Sequence, residues 1–337
     1  MKRSIGLALF IVSAAMETAW GATYTWGYVG SDWATAANWK TNAVTSSTVP
    51  GVNDTAVFGN NAANPPVISG AQSIYKVDCS GQNNAMTFGG SGTLTIGAGG
   101  ILGQTYGAVT FTNTLTLNLS ASQPWRPTSG RTMIVQGPIT GTGDITVNNA
   151  SDLNCVLKYG GAPSYVTNAT FVGNLVVNGP AVQRQTYQGN LADNTCQFWL
   201  DFGTIAADTT ATFGQTAGAA PGTNTLNGAS FYIAATASSG APIAECNNPI
   251  SIASGGGALL SCQKSGAIGK WSGPITLGGP LYLACDLGSS TITYTNLYTG
   301  TISLNQNAAG RLSIANLPNC YYSDNITFLG GISDWGR

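Results

Sequence analysis

The chain contains no histidine and very little charge: 12 Lys and Arg with 13 Asp and Glu among 337 residues, or 7%. Soluble domains usually carry about a quarter charged residues. Without histidine there is no Ser-His-Asp or Cys-His catalysis, no imidazole metal site and no histidine pH switch. With so few cations there is no basic patch for nucleic acid or an anionic membrane surface. No Cys-x-x-Cys pair occurs, so a cysteine zinc site is not expected. Walker and dinucleotide motifs are absent too. Ser254-Gly255-Gly256-Gly257 reads as a turn, because no helical pattern follows it. These absences predict a chain with no cofactor, no metal and no catalytic residues.

Long apolar runs are also missing. The longest, Ile5 to Ala15, has eleven residues, too few to cross a bilayer. Lys2-Arg3 precedes it and the small residues Ala19 and Gly21 follow, the order of a secretory signal peptide cleaved after Gly21. No other segment reaches membrane length, so no integral span is expected after cleavage. Removing Lys2, Arg3 and Glu17 leaves 10 basic and 12 acidic residues, a net charge of −2.

What is abundant is glycine, 45 residues, together with Thr, Ser and Asn. From Gly89 to Asn149 they punctuate short runs: Thr93–Ile96, Val109–Phe111, Leu115–Leu119, Met133–Val135 and Asp144–Val147. Aliphatic and β-branched residues alternate there with Thr and Asn, the period of a strand with one buried face. Gly, Ser or Asn closes each run, as turns require. No period of 3.6 intervenes. Pro138–Val147 is echoed by Gly273–Leu283, and Phe171–Gly179 opens a further block. Repeats of about 20–30 residues signify a solenoid. The fold class expected is all-β: a parallel β-helix, right-handed by the general bias of parallel crossovers, with essentially no α-helix. Leu117, Leu119, Ile145 and Val147 should face its core. Of the adjacent Ile134 and Val135, only one can.

Three tryptophans, Trp26, Trp33 and Trp39, crowd an opening segment over residues 22–59. Such a cluster can cover the open end of the first repeat, which would otherwise expose strand edges and apolar core. It could instead stack on sugar rings. Residues 60–330 form the expected β-helix and residues 331–337 a tail.

The motifs resemble the autotransporter-associated β-strand repeat family of secreted or surface-displayed bacterial proteins. Pro138–Ile145 is similar to the family's G-I-x-G-x-G-x-L run. Asn168–Gly179 is similar to its N-x-Y-x-G-x-T-x-V-x-x-G run, and Ser120–Trp125 to its a-S-Q-x-W element. Pro50–Phe58 resembles the P-G-x-x-D-x-A-x-F run that follows the family's Trp-rich opening. The likeness covers about Thr25 to Gly330. It implies a β-helix outside the cell and no catalytic residues. The chain shows no C-terminal barrel of the kind autotransporters carry, the main departure from that pattern.

Residues 181–230 break the rhythm, and excursions of that kind can form a binding surface. Asp193, Asp201 and Asp208, with Arg184, are the carboxylates a glycan-cleaving β-helix would need. Asp193 and Asp201 are eight residues apart, less than one repeat, so stacking does not join them. Solvated surface carboxylates are the expectation. A carbohydrate contact would draw on Trp26, Trp33, Trp39, Trp199 and Asp201. Seven cysteines in an oxidising compartment suggest disulfides. Cys246, Cys262, Cys285 and Cys320 are the candidates; buried thiols are the alternative. Low net charge does little to oppose self-association. The expected partners are therefore another copy of the chain, stacked end to end, or a surface glycan or matrix.

Overall fold

The computed structural model describes residues 21–59, 64–103, 107–128, 130–147, 156–161, 171–179, 196–213, 222–254, 257–263, 267–285, 295–304, 311–314, 325–328 and 332–333. Of the expected signal peptide, residues 1–20 lie outside them. Among the described residues the single helix is a 3-10 turn, Ala36–Asn38. Everything else regular is strand. The protein is all-β, and its strands form three sheets of sixteen, nine and five strands.

Among the described residues pairing is parallel, apart from two antiparallel pairs at the edge of the sixteen-stranded sheet. From Ala108 onward the chain visits three faces in a fixed order. Ala108–Phe111 lies in the nine-stranded sheet, Thr116–Leu119 on a third face and Gln123–Arg126 in the sixteen-stranded sheet. Thr132–Val135, Ile139–Gly141 and Ile145–Val147 repeat that order and pair in register with the previous set. Cys196–Ile205, Thr210–Phe213 and Asn224–Asn227 repeat it again, and the order persists to Asn325–Phe328 and Ile332–Ser333. The last described pair joins Ile302 and Ser303 to Ile332 and Ser333.

Alternation puts every second residue inside. Leu117, Leu119, Val135, Ile145 and Val147 are buried, while Ile134 points outward between buried Met133 and Val135. Asn118 and Thr146 stand on the opposite side of their strands. Burying one such aliphatic side chain stabilises by about 1.5–3 kcal/mol.

Glycine marks the corners because no Cβ fits there. A Cβ on Gly143 would lie 2.1 Å from Ala121 O, and one on Gly222 would lie 1.8 Å from Gly173 O. The same corner recurs at Gly173, Gly273 and Gly300. Each glycine lets the backbone of one repeat settle on the carbonyl of the one before it.

The opening segment joins the sixteen-stranded sheet directly. Thr23–Trp26 pairs parallel with Thr55–Val57, which pairs parallel with Ala71–Asp78. On its free side Thr23–Trp26 meets Trp39–Thr41 antiparallel, and Val44–Thr45 closes the hairpin. Asn42 and Ala43 both have positive φ, 51° and 66°, as a two-residue type I′ turn demands. The outermost strand is only two residues long, a common way to blunt a sheet edge.

Candidate functional site

Three groups of side chains suggested function from the sequence, and the structure puts them in different surroundings. Trp26, Trp33 and Trp39 are buried, at 1%, 0% and 0% exposure. Trp39 makes edge contacts with both other indoles at 4.8 Å. All three surround Phe58, which continues inward to Phe88 at 4.9 Å and then Phe111 at 4.8 Å. Trp26 Nε1 donates to Asn64 O and Trp39 Nε1 to Trp33 O, each at 2.8 Å. A sugar cannot stack on rings whose faces are already filled. The carbohydrate reading therefore loses these three residues, because their apolar area is consumed within the fold.

Trp199 and Asp201 lie on the outer side of Cys196–Ile205, opposite the core residues Phe198, Leu200 and Phe202. Both are half-buried. Trp199 pairs in register with Lys158 on one side and Tyr232 on the other. Lys158 Nζ sits 4.6 Å from its ring centroid, and the Tyr232 ring stacks at 4.9 Å with 30° between planes. Its Nε1 donates to Gln197 Oε1 at 2.7 Å. Trp199 thus offers an edge to solvent rather than a face. Asp201 Oδ1 accepts the Gly203 N–H at 2.8 Å, a local turn contact. Asp208 is exposed at the next turn with φ 51°. Asp193 and Arg184 lie outside the described residues. Among the described residues no three His, Cys, Asp or Glu side chains gather as metal ligands would.

The cysteines divide in the same way. Cys246 is an unbridged buried thiol, so a disulfide through it is not formed. The reason is topological. Sixteen residues fall short of one step of the repeat, which places Cys246 in the five-stranded sheet between Phe213 and Trp271, and Cys262 in the nine-stranded sheet. Burial pushes the Cys246 thiol up to about 12 and the Cys79 thiol well above its usual range, with the Asp78 charge adding to the rise. Thiols held protonated in this way are poor nucleophiles. Cys262 and Cys285 are direct register partners in neighbouring strands; their side chains, and all of Cys320, lie outside the described residues.

The organised outer chemistry is polar and repetitive, and single-residue motif reading missed it. Asn118 Nδ2 donates to Thr95 Oγ1 at 3.2 Å, and Thr140 Oγ1 donates to Asn118 Oδ1 at 3.0 Å. At the corner before the sixteen-stranded sheet, Ser122 Oγ accepts the Asp144 N–H at 3.1 Å. Asp144 Oδ1 accepts the Asn174 N–H at 2.8 Å, and Asn174 Oδ1 accepts the Thr223 N–H at 2.9 Å. Each side chain caps the backbone of the next repeat. Outward along that sheet run Thr146, Val176, Thr225, Ser251, Thr276 and Ser303, paired in register. The file carries no charge. Its signal in the sequence was the recurring Thr or Ser between two aliphatics.

No known protein family, curated protein or solved structure matches the chain.

Proposed function

We propose that the chain is a right-handed parallel β-helix, secreted or displayed on a bacterial surface, acting as a structural or surface-interaction element and not as an enzyme. One observation carries this reading: the return of the chain to the same parallel sheets in the same order, with register partners kept from Ala108 to Ser333 on two faces and, on the third, over 116–141 and 210–328 among the described residues. One outer face carries an uncharged file of hydroxyls interrupted by Val176, suited to many weak contacts with an extended neutral partner such as a surface glycan or matrix. The resemblance to autotransporter-associated repeats points the same way. Low net charge leaves association between copies unopposed, so an adhesin-like or filament-forming role belongs to the same proposal.

The rival is a carbohydrate-active β-helix. A reducing-sugar release assay across neutral and acidic polysaccharides separates the two. The expected result is no turnover. Release of sugar by the purified protein, lost in Asp201→Asn, overturns the non-enzymatic reading. Light scattering and negative-stain microscopy test the filament arm; a monodisperse monomer at high concentration removes it.

A further inference from the structure

Two amides and a thiol meet inside an otherwise apolar core. Asn224 occupies an inward position whose register neighbours are Leu175 and Ile250, and it is 3% exposed. Its Nδ2 lies 4.0 Å from Cys246 Sγ, the far limit of a sulfur hydrogen bond, so that donor is weakly engaged. Asn248, 7% exposed, donates from Nδ2 to Gly222 O at 3.0 Å. Its Oδ1 is buried and has no protein partner among the described residues. A buried carbonyl oxygen without a partner is costly, and such groups are normally satisfied by protein or by ordered water.

Both amides line one cavity of about 20 Å³. Trp125, Tyr159, Phe198 and Phe213 form much of the remaining wall. The Tyr159 oxygen accepts the Ile139 N–H at the edge of this space. A space of about 10–15 Å³ is the least that admits a water, and a buried water typically makes about three hydrogen bonds. An aromatic guest such as benzene occupies cavities nearer ~150 Å³. Size and lining therefore select a single small polar molecule.

We propose that this cavity is a buried hydration site holding one structural water. The water donates to Asn248 Oδ1 and accepts from the Asn224 amide, two contacts within the range of two to four that buried waters make. It joins the turn after Cys246 to the sixteen-stranded sheet, to which Asn224 belongs. In this account Asn224 stands among aliphatic neighbours because it serves the water.

A crystal structure of the chain with resolved solvent, and a second crystal pressurised with xenon, test this directly. The expected result is a solvent peak within hydrogen-bond reach of Asn248 Oδ1 and no xenon there. A cavity without a peak, or one that takes xenon, overturns the proposal. In solution, oxygen-17 relaxation counts long-lived internal waters, and Asn224→Leu, matching its register neighbours, is expected to lower that count by one. A folded Asn224→Leu protein with an unchanged count would also overturn it. If that variant does not fold, the wild-type crystal and xenon measurements still decide.

Discussion

Residues 71–147 and residues 196–304 solve the same packing problem with different steps. In the first stretch, side chains meet their stacked neighbours 22, 23 or 24 residues on, as Asn118 meets Thr140, Thr95 meets Asn118 and Ser120 reaches Ile96. In the second, Thr212 meets Glu245 33 residues on, and the entry to that stretch takes a step of 49, from Asn178 to Asn227. The third face differs accordingly. In the first stretch it belongs to the sixteen-stranded sheet, because Ala71–Asp78 and Thr93–Leu102 each bend and serve two faces. The register of the latter shifts between Ile96 and Gly100, and a Cβ on Gly100 would lie 1.9 Å from Pro124 O. In the second stretch the third face is a five-stranded sheet of its own. The cores differ too. Aliphatics dominate the first. In the second, a column of rings runs among the aliphatics: Phe198, Phe231, Trp271 and Tyr298, with successive centroids 4.9, 5.0 and 6.4 Å apart. Steps in the second stretch range from 23 residues, Ala258 to Leu281, to 33, Thr212 to Glu245, so its repeats are less uniform than those of the first.

The largest effect is expected in the first stretch. Leu117 is wholly buried between Leu94 and Ile139. Leu117→Asp would place an unpaired carboxylate there and should cost more than ~5 kcal/mol. Thermal melting of the variant at the wild-type temperature would show that the inward face is assigned wrongly.

The corner glycines test what the two stretches share. Gly143→Ala and Gly222→Ala should each cost about 4–5 kcal/mol, because the new methyl meets a backbone carbonyl that cannot swing away. Gly130→Ala is the control. It has φ 73° and open space around the Cβ position, so it carries backbone strain alone, about 1–2 kcal/mol. Equal losses at all three sites would refute close approach as the reason for these glycines.

Next come the rings. Phe231 touches Phe198 and Trp271, whereas Phe88 joins the opening tryptophans to the body through Phe58 and Phe111. Alanine at either site should cost about 3–4 kcal/mol. Limited proteolysis should then distinguish them, with Phe88→Ala exposing the opening segment first and Phe231→Ala the second stretch. Identical cleavage patterns would mean that the two columns do not stabilise separate regions.

Legibility in the sequence followed the same division. Between Gly89 and Asn149 the step was short and nearly constant, and the expected strands recur within a residue or two of those observed. Gln123–Arg126 was hidden by Pro124, a residue that strands tolerate only in special positions, here an outward one. Beyond Asn178 the step changes, so periodicity could not say which residues stack. That is why Cys246 and Cys262 looked like neighbours and are not. The tryptophans were legible as a group, but only burial distinguishes a cap from a binding platform. The cavity was not legible at all. Asn224 and Asn248 look like turn residues in a chain full of them, and only the register shows Asn224 among core positions.

The smallest effect concerns the ion pair present in each stretch. Lys76 Nζ meets Asp78 Oδ2 at 2.9 Å, and Lys270 Nζ meets Glu245 Oε1 at 2.9 Å. Burial works against the charge on Asp78, but the Ser80 and Lys76 hydrogen bonds and the Lys76 charge outweigh it and hold the carboxyl below its usual range. Burial likewise opposes the charge on Glu245, and the neighbouring Ser272 hydroxyl, the Lys270 ammonium and the Thr212 hydroxyl outweigh it. A carboxyl depressed in the folded state binds fewer protons there than in the unfolded chain. The stabilisation is therefore complete above the ordinary carboxylate range and drains away as pH falls through about 4 and below. Partial exposure limits each pair to about 1 kcal/mol or less. Denaturation midpoints measured against pH should be flat from about pH 5.5 to 8, since no histidine titrates there, and should fall on the acid side. Glu245→Gln should lower the neutral plateau slightly and converge with wild type at about pH 2, where wild-type Glu245 is also uncharged. A Glu245→Gln deficit that persists undiminished at that pH would assign the loss to packing and remove the electrostatic contribution from the second stretch.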